Sequence, residues 1–345
     1  MRNIYAVVMA GGSGERFWPK SRKKYPKQLL PIVSKQSMLQ ETISRLNGVV
    51  SNNRIIIVTN KIQAAAIRKQ APLLPKENII IEPVSKNTAP CIAVAAMAIC
   101  KKDPDAVMVV LPADHVIKNV EKFQNDIKKA AELAYTKNVL VTLGIRPRGP
   151  HTGYGYIQKG IKIKKSSYTV KKFAEKPNIE IAERYVRSGE YLWNSGMFIW
   201  KASVVLAEIQ IYLPELHELC TKYSSDNVYR KAENISIDYA IMEKTKCAVV
   251  LEASFDWDDA GSWSALDSHR EKDINGNVIE GDVVYKDVHN SIMMTDGVLI
   301  AVVGVSDIVA VAEKGAILIC PKDKAEDVKH IVNILKKHGT HKKHV

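Results

Sequence analysis

Residues 4–28 read IYAVVMAGGSGERFWPKSRKKYPKQ. An apolar run, Ile4 to Ala10, ends at Gly11, Gly12 and Gly14, and a basic stretch from Arg16 to Lys27 follows. A short, continuously apolar run closed by glycine reads as a strand covered on both faces, as in a parallel sheet. Glycines after such a strand let backbone N–H groups approach phosphate oxygens without a Cβ in the way. Two familiar phosphate loops do not fit. A Walker A loop opening at Gly11 needs glycine where Arg16 stands. The dinucleotide pattern fits Gly12 and Gly14, but Phe17 holds the third glycine position, and no clear acidic strand end follows about 20 residues on. An ordinary structural turn remains open for the glycines. Arg16 can hold two phosphate oxygens with its planar fork, and Lys27 adds a point charge.

The opening pattern recurs. Ile55–Thr59, Ile79–Ile81, Ala106–Leu111 and Val139–Leu143 are further short apolar runs. Helical patterns over Met38–Gly48, Lys61–Gln70, Thr88–Lys101 and Val120–Lys137 lie between them. This alternation predicts an α/β, doubly wound, mostly parallel sheet. After residue 150 the texture changes: strands over Gly153–Ile157, Val170–Phe173 and Met197–Trp200, and helices over Ile179–Gly189, Ala202–Tyr212 and Pro214–Tyr223. From Asn277 to Ile319, short β runs separated by Asp, Gly and Asn turns predict a small all-β, β-helix-like module. An amphipathic terminal helix over Lys324–Lys337 follows. The expected division is a catalytic domain, 1–267, and a small β module with the terminal helix, 268–345.

The 345 residues are 46% hydrophobic and 25% charged, which places the chain among globular proteins. A net charge of +13 admits polyanionic partners. The lysines are spread along the chain with no interleaved aromatics, which argues against nucleic acid. The five cysteines form no C-x-x-C pair, so free thiols in a reducing, cytoplasmic setting are expected, without zinc. The nearly uncharged stretch Asn87–Cys100 is too short to span a bilayer, and Ile4–Ala10 is too short for a leader. No membrane association is expected. Lys20, Lys23 and Lys24 read as a solvated, steering surface.

Four further stretches carry candidate chemistry. In Glu82-Pro83-Val84-Ser85-Lys86-Asn87-Thr88-Ala89-Pro90, Glu82 could accept from a guanine edge, with polar contacts from Asn87 and Thr88. The same residues could simply form a turn and a helix cap. Asp114, in Pro112-Ala113-Asp114-His115, follows a strand at the sheet edge where α/β folds carry ligands. It suits a hard cation shared with phosphate, or a capped turn. Trp257-Asp258-Asp259-Ala260-Gly261-Ser262-Trp263 supplies a second carboxylate. Phe173-Ala174-Glu175-Lys176-Pro177 reads as bare sequence like a surface ion pair.

Taken together, these stretches resemble the sugar-1-phosphate nucleotidylyltransferases, and within them the mannose-1-phosphate guanylyltransferases. The resemblance runs from residue 4 to about 265, with every main motif present. It implies a GT-A-like, Rossmann-type catalytic fold. Ala10, Gly11, Gly12 and Gly14 would bind the nucleotide phosphates, and Glu82, Lys86, Asn87 and Thr88 the guanine side. Asp114 and Asp259 would clamp one Mg²⁺, with Asp258 ranked below Asp259; Ala260 replaces the family's usual valine. Arg16, Lys27, Asp114 and Lys176 would be catalytic, Lys176 binding the sugar phosphate. Gly153, Glu175 and Asn194 would bind the sugar. Ser236-Ile237-Asp238-Tyr239-Ala240 reads as a helix start capped by Ser236. His115 reads as structural.

The resemblance also implies GTP and mannose 1-phosphate as substrates, and a homodimer. Longer bacterial relatives add an isomerase domain, which this chain is not expected to include. Alternatives left open are a guanylyltransferase for another sugar 1-phosphate, such as a heptose 1-phosphate, and a non-catalytic nucleotide-sugar sensor on the same fold.

Overall fold

The computed structural model describes residues 3–12, 14–313, 315–337 and 339–345. The chain runs β1 (Ile4–Met9), α1 (Met38–Ser44), β2 (Ile55–Asn60), α2 (Ala64–Gln70), β3 (Ile79–Glu82), α3 (Thr88–Cys100), β4 (Val107–Pro112), β5 (Val116–Ile117), α4 (Val120–Lys137) and β6 (Leu140–Ile145). It continues through β7 (Tyr156–Lys164), β8 (Ser167–Ala174), α5 (Ile179–Ser188), β9 (Tyr191–Lys201), α6 (Ala202–Tyr212), α7 (Pro214–Lys222), α8 (Ser225–Lys231), β10 (Ala248–Glu252) and β11 (Trp257–Asp258). A nine-stranded sheet in the order β3-β2-β1-β4-β9-β6-β10-β8-β7 forms the centre.

β1 shows why these runs become central strands. Ala6 and Val8 face one layer, with Phe123 and Ile127 of α4, while Val7 faces the other, with Ile92 and Ala93 of α3. A strand buried on both faces has no polar side to alternate with. α3 is the matching case among helices: it is buried nearly all round, as its lack of charge predicts.

The sheet is mixed rather than mostly parallel. β3, β2, β1 and β4 run parallel, and so do β6 and β10. β9 lies antiparallel to both β4 and β6, and β8 antiparallel to β10 and β7. Burial on both faces produces the same apolar run in either direction, so strand orientation is not encoded in it. β9 is also longer than Met197–Trp200, because Tyr191–Trp193 pairs with Tyr156–Gln158 of β7. The polar Asn194-Ser195-Gly196 inside it imitates a turn; Gly196 takes φ +66°, beside a register shift at Thr142/Gly144. Four elements, β5, α8, β10 and β11, have no counterpart in the sequence-based expectation. The run Ala248–Leu251 is the signal that would have revealed β10.

The module that follows contains β12 (Val278–Glu280), β13 (Val283–Lys286), β14 (Ile292–Thr295), β15 (Ile300–Val303), β16 (Ile308–Glu313) and β17 (Ala316–Pro321). β12, β14 and β16 stack in parallel with Val278, Ile292 and Val309 in register, and β13 pairs with β15 in the same sense. β17 closes the stack antiparallel to β16. This is a short β-helix. A 3₁₀ turn, Lys322–Asp327, leads into α9 (Val328–Lys337).

The module packs directly on the glycine loop. Phe17 and Trp18 share a core with Trp263, Ile292, Val309 and Val332. Trp263 Nε1 donates to the Trp18 carbonyl at 2.9 Å. Lys20 does not belong to the solvated surface: it is largely buried and bonds Glu280 of β12 at 2.7 Å. Lys23 and Lys24 are exposed, as a steering surface requires.

Candidate active site

The glycine loop leaves β1 at the sheet's C-terminal edge and is held by amides. Gln28 Nε2 donates to the carbonyls of Ala10 at 3.1 Å and Gly12 at 2.9 Å, and Gln63 Nε2 donates to Gly12 at 3.2 Å. Thr59 Oγ1 also donates to Ala10, at 3.0 Å. All three side chains are buried. Sequence reasoning assigned none of them a role. Gln28 stands in the quoted stretch, but its partners become visible only once the loop folds back.

Gly14 adopts φ +59°, and a Cβ there would sit 2.5 Å from the Lys27 backbone nitrogen. Its freedom therefore serves the seating of Lys27 more directly than an approach to phosphate. Lys27 is 4% exposed, and its Nζ bonds Asp114 Oδ2 at 3.0 Å and the carbonyl of Asp259. Arg16 Nε is buried without a hydrogen-bond partner among the described residues. A half-buried guanidinium whose Nε makes no bond is a ready donor for an anion.

Asp114 follows β4, and Asp259 follows β11. With Gly14, Arg16, Lys27 and Gly261 they line a cleft of about 370 Å³. Burial works to raise Asp114, but the Lys27 ammonium and smaller contributions from His115 and from hydrogen bonds together hold this carboxyl below the usual range. Asp259 Oδ1 accepts from the Tyr154 hydroxyl at 2.7 Å. Asp258 is engaged elsewhere: Oδ1 accepts from Ala260 N at 2.7 Å, and Oδ2 lies 2.9 Å from His269 Nε2. His115 is pushed down to about 4, chiefly by burial, and its Nδ1 accepts from Trp257 Nε1 at 3.1 Å. A neutral, accepting imidazole is a structural group here.

The donor set fits a hard divalent cation. Among the described residues no three His, Cys, Asp or Glu side chains converge on a metal site. Two carboxylates, Asp114 and Asp259, line one cleft, and a Cβ at Gly261 would stand 3.2 Å from Asp259 Oδ2, so glycine keeps that carboxylate open. Few protein oxygens, with room for phosphate and water, is the Mg²⁺ type of site.

Gly11 and Gly12 line a second pocket of about 500 Å³, together with Glu82, Ser85, Asn87 and Thr88. Burial pushes Glu82 up to about 7, and the nearby Tyr229 hydroxyl works against the rise. Asn87 has φ +65° and caps α3, its side chain accepting from Thr88 N at 2.9 Å. Thr88 Oγ1 accepts from Ile237 N at 2.9 Å. These two residues are thus caps and pocket walls at once. Lys86 is half-buried and does not line this pocket.

The sugar-side candidates divide. Lys176, with φ +46°, bonds Glu175 Oε1 at 2.6 Å. Burial opposes the Lys176 charge, yet the Glu175 contact leaves its pKa raised. Asn194 N donates to Gly155 O at 2.8 Å, and a Cβ at Gly155 would overlap the Glu175 carboxylate. Gly155 therefore joins Glu175 and Asn194, whereas Gly153 lines a separate cleft of about 330 Å³ with Tyr154, Trp193 and Asp259. Asp238, read from the sequence as part of a helix start, accepts from Asn194 Nδ2 at 2.8 Å. Ser236 does cap that turn, through Tyr239 N at 3.3 Å.

Comparison with known proteins matches this arrangement to a family. The family described as nucleotidyl transferase covers residues 5–276, and the MannoseP isomerase/GMP-like β-helix domain covers residues 281–335. A mannose-1-phosphate guanylyltransferase of Klebsiella pneumoniae is 42% identical over 350 residues, covering 96% of this chain and 74% of that protein. One from Escherichia coli is 40% identical over 363 residues, covering 99% of this chain and 78% of that protein. The crystal structure described as a mannose-1-phosphate geranyltransferase from Thermus thermophilus matches with a TM-score of 0.89 and 34% identity, over 97% of this chain and 99% of its own.

Proposed function

The chain belongs to the mannose-1-phosphate guanylyltransferases, and from that premise we propose how its residues carry the reaction. The enzyme transfers a guanylyl group from GTP to mannose 1-phosphate, giving GDP-mannose and pyrophosphate. Neither a different sugar 1-phosphate nor a non-catalytic sensor is favoured by relatives bearing this name.

In our reading, an oxygen of the sugar phosphate attacks the α-phosphorus of GTP in line, and pyrophosphate departs. A phosphate monoester has a second pKa of about 6 and is already largely dianionic at neutral pH, so no general base is required. The work of the chain is alignment and charge balance. Gly11 and Gly12 offer backbone N–H groups to the phosphates, with Ala10 and Gly14 setting the loop. Arg16 and Lys27 stabilise the departing pyrophosphate. Glu82 reads the guanine N–H edge, with Asn87 and Thr88 beside it and Lys86 at the rim. Lys176 holds the attacking phosphate, and Glu175, Asn194 and Gly155 position the sugar, with Gly153 further out. Asp114 and Asp259 would hold Mg²⁺, which supplies charge neutralisation at the α-phosphate when bound.

The observation that carries these assignments is the meeting of Lys27 with Asp114 and the Asp259 carbonyl beside an unpartnered Arg16 Nε. Fixed charges of both signs around one small cleft suit a reacting triphosphate. The test is one assay: protein, Mg²⁺, four nucleoside triphosphates and a panel of sugar 1-phosphates, with pyrophosphate measured. GTP with mannose 1-phosphate should dominate, and another pair dominating would overturn the reading.

We place the catalytic unit at 1–267 and the supporting module at 268–345. The module carries exposed Val284, Val303, Ile317 and Ile319, which favours it as a homodimer contact. Light scattering of the purified chain tests that contact. The described cysteines are all free, in keeping with a cytoplasmic setting. No helix of the described residues is long and apolar enough to cross a membrane.

A further inference from the structure

Asn194 can serve a sugar only if its amide is held one way round. Its Oδ1 already accepts from Gly196 N at 3.1 Å and lies 3.4 Å from Thr142 Oγ1. Its Nδ2 donates one hydrogen to Asp238 Oδ1 at 2.8 Å. One N–H therefore remains free for a hydroxyl. An ionised carboxylate only accepts, so it enforces the NH₂ side of the amide and excludes the flipped form.

Asp238 is in turn held from the nucleotide side. It opens a π-type turn, Asp238–Met242, closed by Glu243 N on the Asp238 carbonyl at 3.0 Å. Such single turns recur at functional sites. The segment before it is tied to the start of α3: Ile237 N donates to Thr88 Oγ1 at 2.9 Å, and Ala89 N donates to Ile235 O at 3.1 Å. Burial, then the Glu175 charge, pushes Asp238 up to about 6, against the Asn194 hydrogen bond. It is still an acceptor at neutral pH. Keeping a carboxylate beside Glu175 costs stability, and an apolar side chain would close the turn without that cost.

We propose that Asp238 is a positioning residue for the sugar 1-phosphate, fixing the Asn194 amide so that its free N–H donates to a hexose hydroxyl. This rests on the reading of Asn194 as a sugar contact. The enzyme thereby selects its acceptor through a residue that need not touch it, placed by the segment that also walls the base pocket.

The test uses the full chain with Asp238→Ser, which keeps a residue favoured at turn starts but too short to reach Asn194, and Asp238→Asn, which retains an acceptor oxygen. Asp238→Ser should raise KM for mannose 1-phosphate about tenfold, with KM for GTP unchanged and lower discrimination against glucose 1-phosphate. Asp238→Asn should recover most of that affinity. The proposal is overturned if Asp238→Ser leaves the sugar KM as in the parent, if KM for GTP rises in step, or if Asp238→Asn is as impaired as Asp238→Ser. A parent enzyme that makes no GDP-mannose would sink the guanylyltransferase reading itself. A normal parent with an indifferent Asp238→Ser sinks only this inference.

Discussion

On the nucleotide side of the sheet, β1, β3 and β4 run parallel and end on one edge, delivering Gly11, Glu82 and Asp114. On the sugar side, β7, β8 and β9 pair antiparallel, and the functional groups come from within or beyond them: Gly155 before β7, Glu175 after β8, Asn194 inside β9. Parallel strands present their C-terminal ends together, so backbone placement does much of the positioning there. Antiparallel strands share no such edge. The sugar side depends instead on side chains holding side chains, Lys176 on Glu175 and Asn194 on Asp238. Damage to the carboxylates of the first side should appear in chemistry, damage to its base pocket in affinity for GTP, and damage on the second side in affinity for the sugar phosphate.

The sharpest break is removal of a carboxylate from the nucleotide side. Asp114→Ala and Asp259→Ala should each lower kcat about 10³-fold in a pyrophosphate-release assay, with the far-ultraviolet spectrum retained. A variant of either with full turnover would dissolve the metal assignment. Next, Lys176→Ala should raise KM for mannose 1-phosphate by about 10–100-fold and leave KM for GTP in place. Equal rises in both constants would erase the division between the two sides.

A smaller effect concerns Glu82. Its carboxyl is raised to about 7 by burial, and only the ionised form offers both oxygens as acceptors to the N1–H and N2–H of a guanine edge. KM for GTP should therefore increase as pH falls below about 7, approaching tenfold per unit, and Glu82→Gln should flatten that limb. The sign for folding is opposite. A raised carboxyl pKa stabilises the fold fully below the unfolded value, and that contribution is lost as pH rises through about 7. Smallest should be Gly155→Ala, whose Cβ displaces the Glu175 carboxylate while Gly153→Ala leaves it untouched. The expected cost is about threefold in sugar KM for the first and none for the second, read from initial rates.

The same division explains what could be read in advance. β1 to β4 and α3 were legible because burial on both faces leaves unbroken apolar runs, punctuated by glycine, proline and asparagine, and α4 because its apolar residues recur on one helical face. The sugar-side strands are partly exposed, and β9 contains a polar Asn-Ser-Gly step, so its first half went unread. Gly153 and Gly155 are indistinguishable in the string Gly-Tyr-Gly-Tyr; only the position of Glu175 separates them. Lys20 looked like surface because its partner, Glu280, is 260 residues away.

By itself, the amino-acid sequence determined the local matters: which runs are buried, where they stop, and which charged residues stand at the stops. These follow from hydrophobic periodicity and backbone freedom, which act over a few residues. Only the tertiary structure decided which charges meet. Lys27 reaches Asp114 across 87 residues and the Asp259 carbonyl across 232. The second meeting accompanies the packing of Trp263 on Trp18 and of the β-helix on the glycine loop. Such contacts arise from the closing of a core, and no spacing in the sequence records that closure.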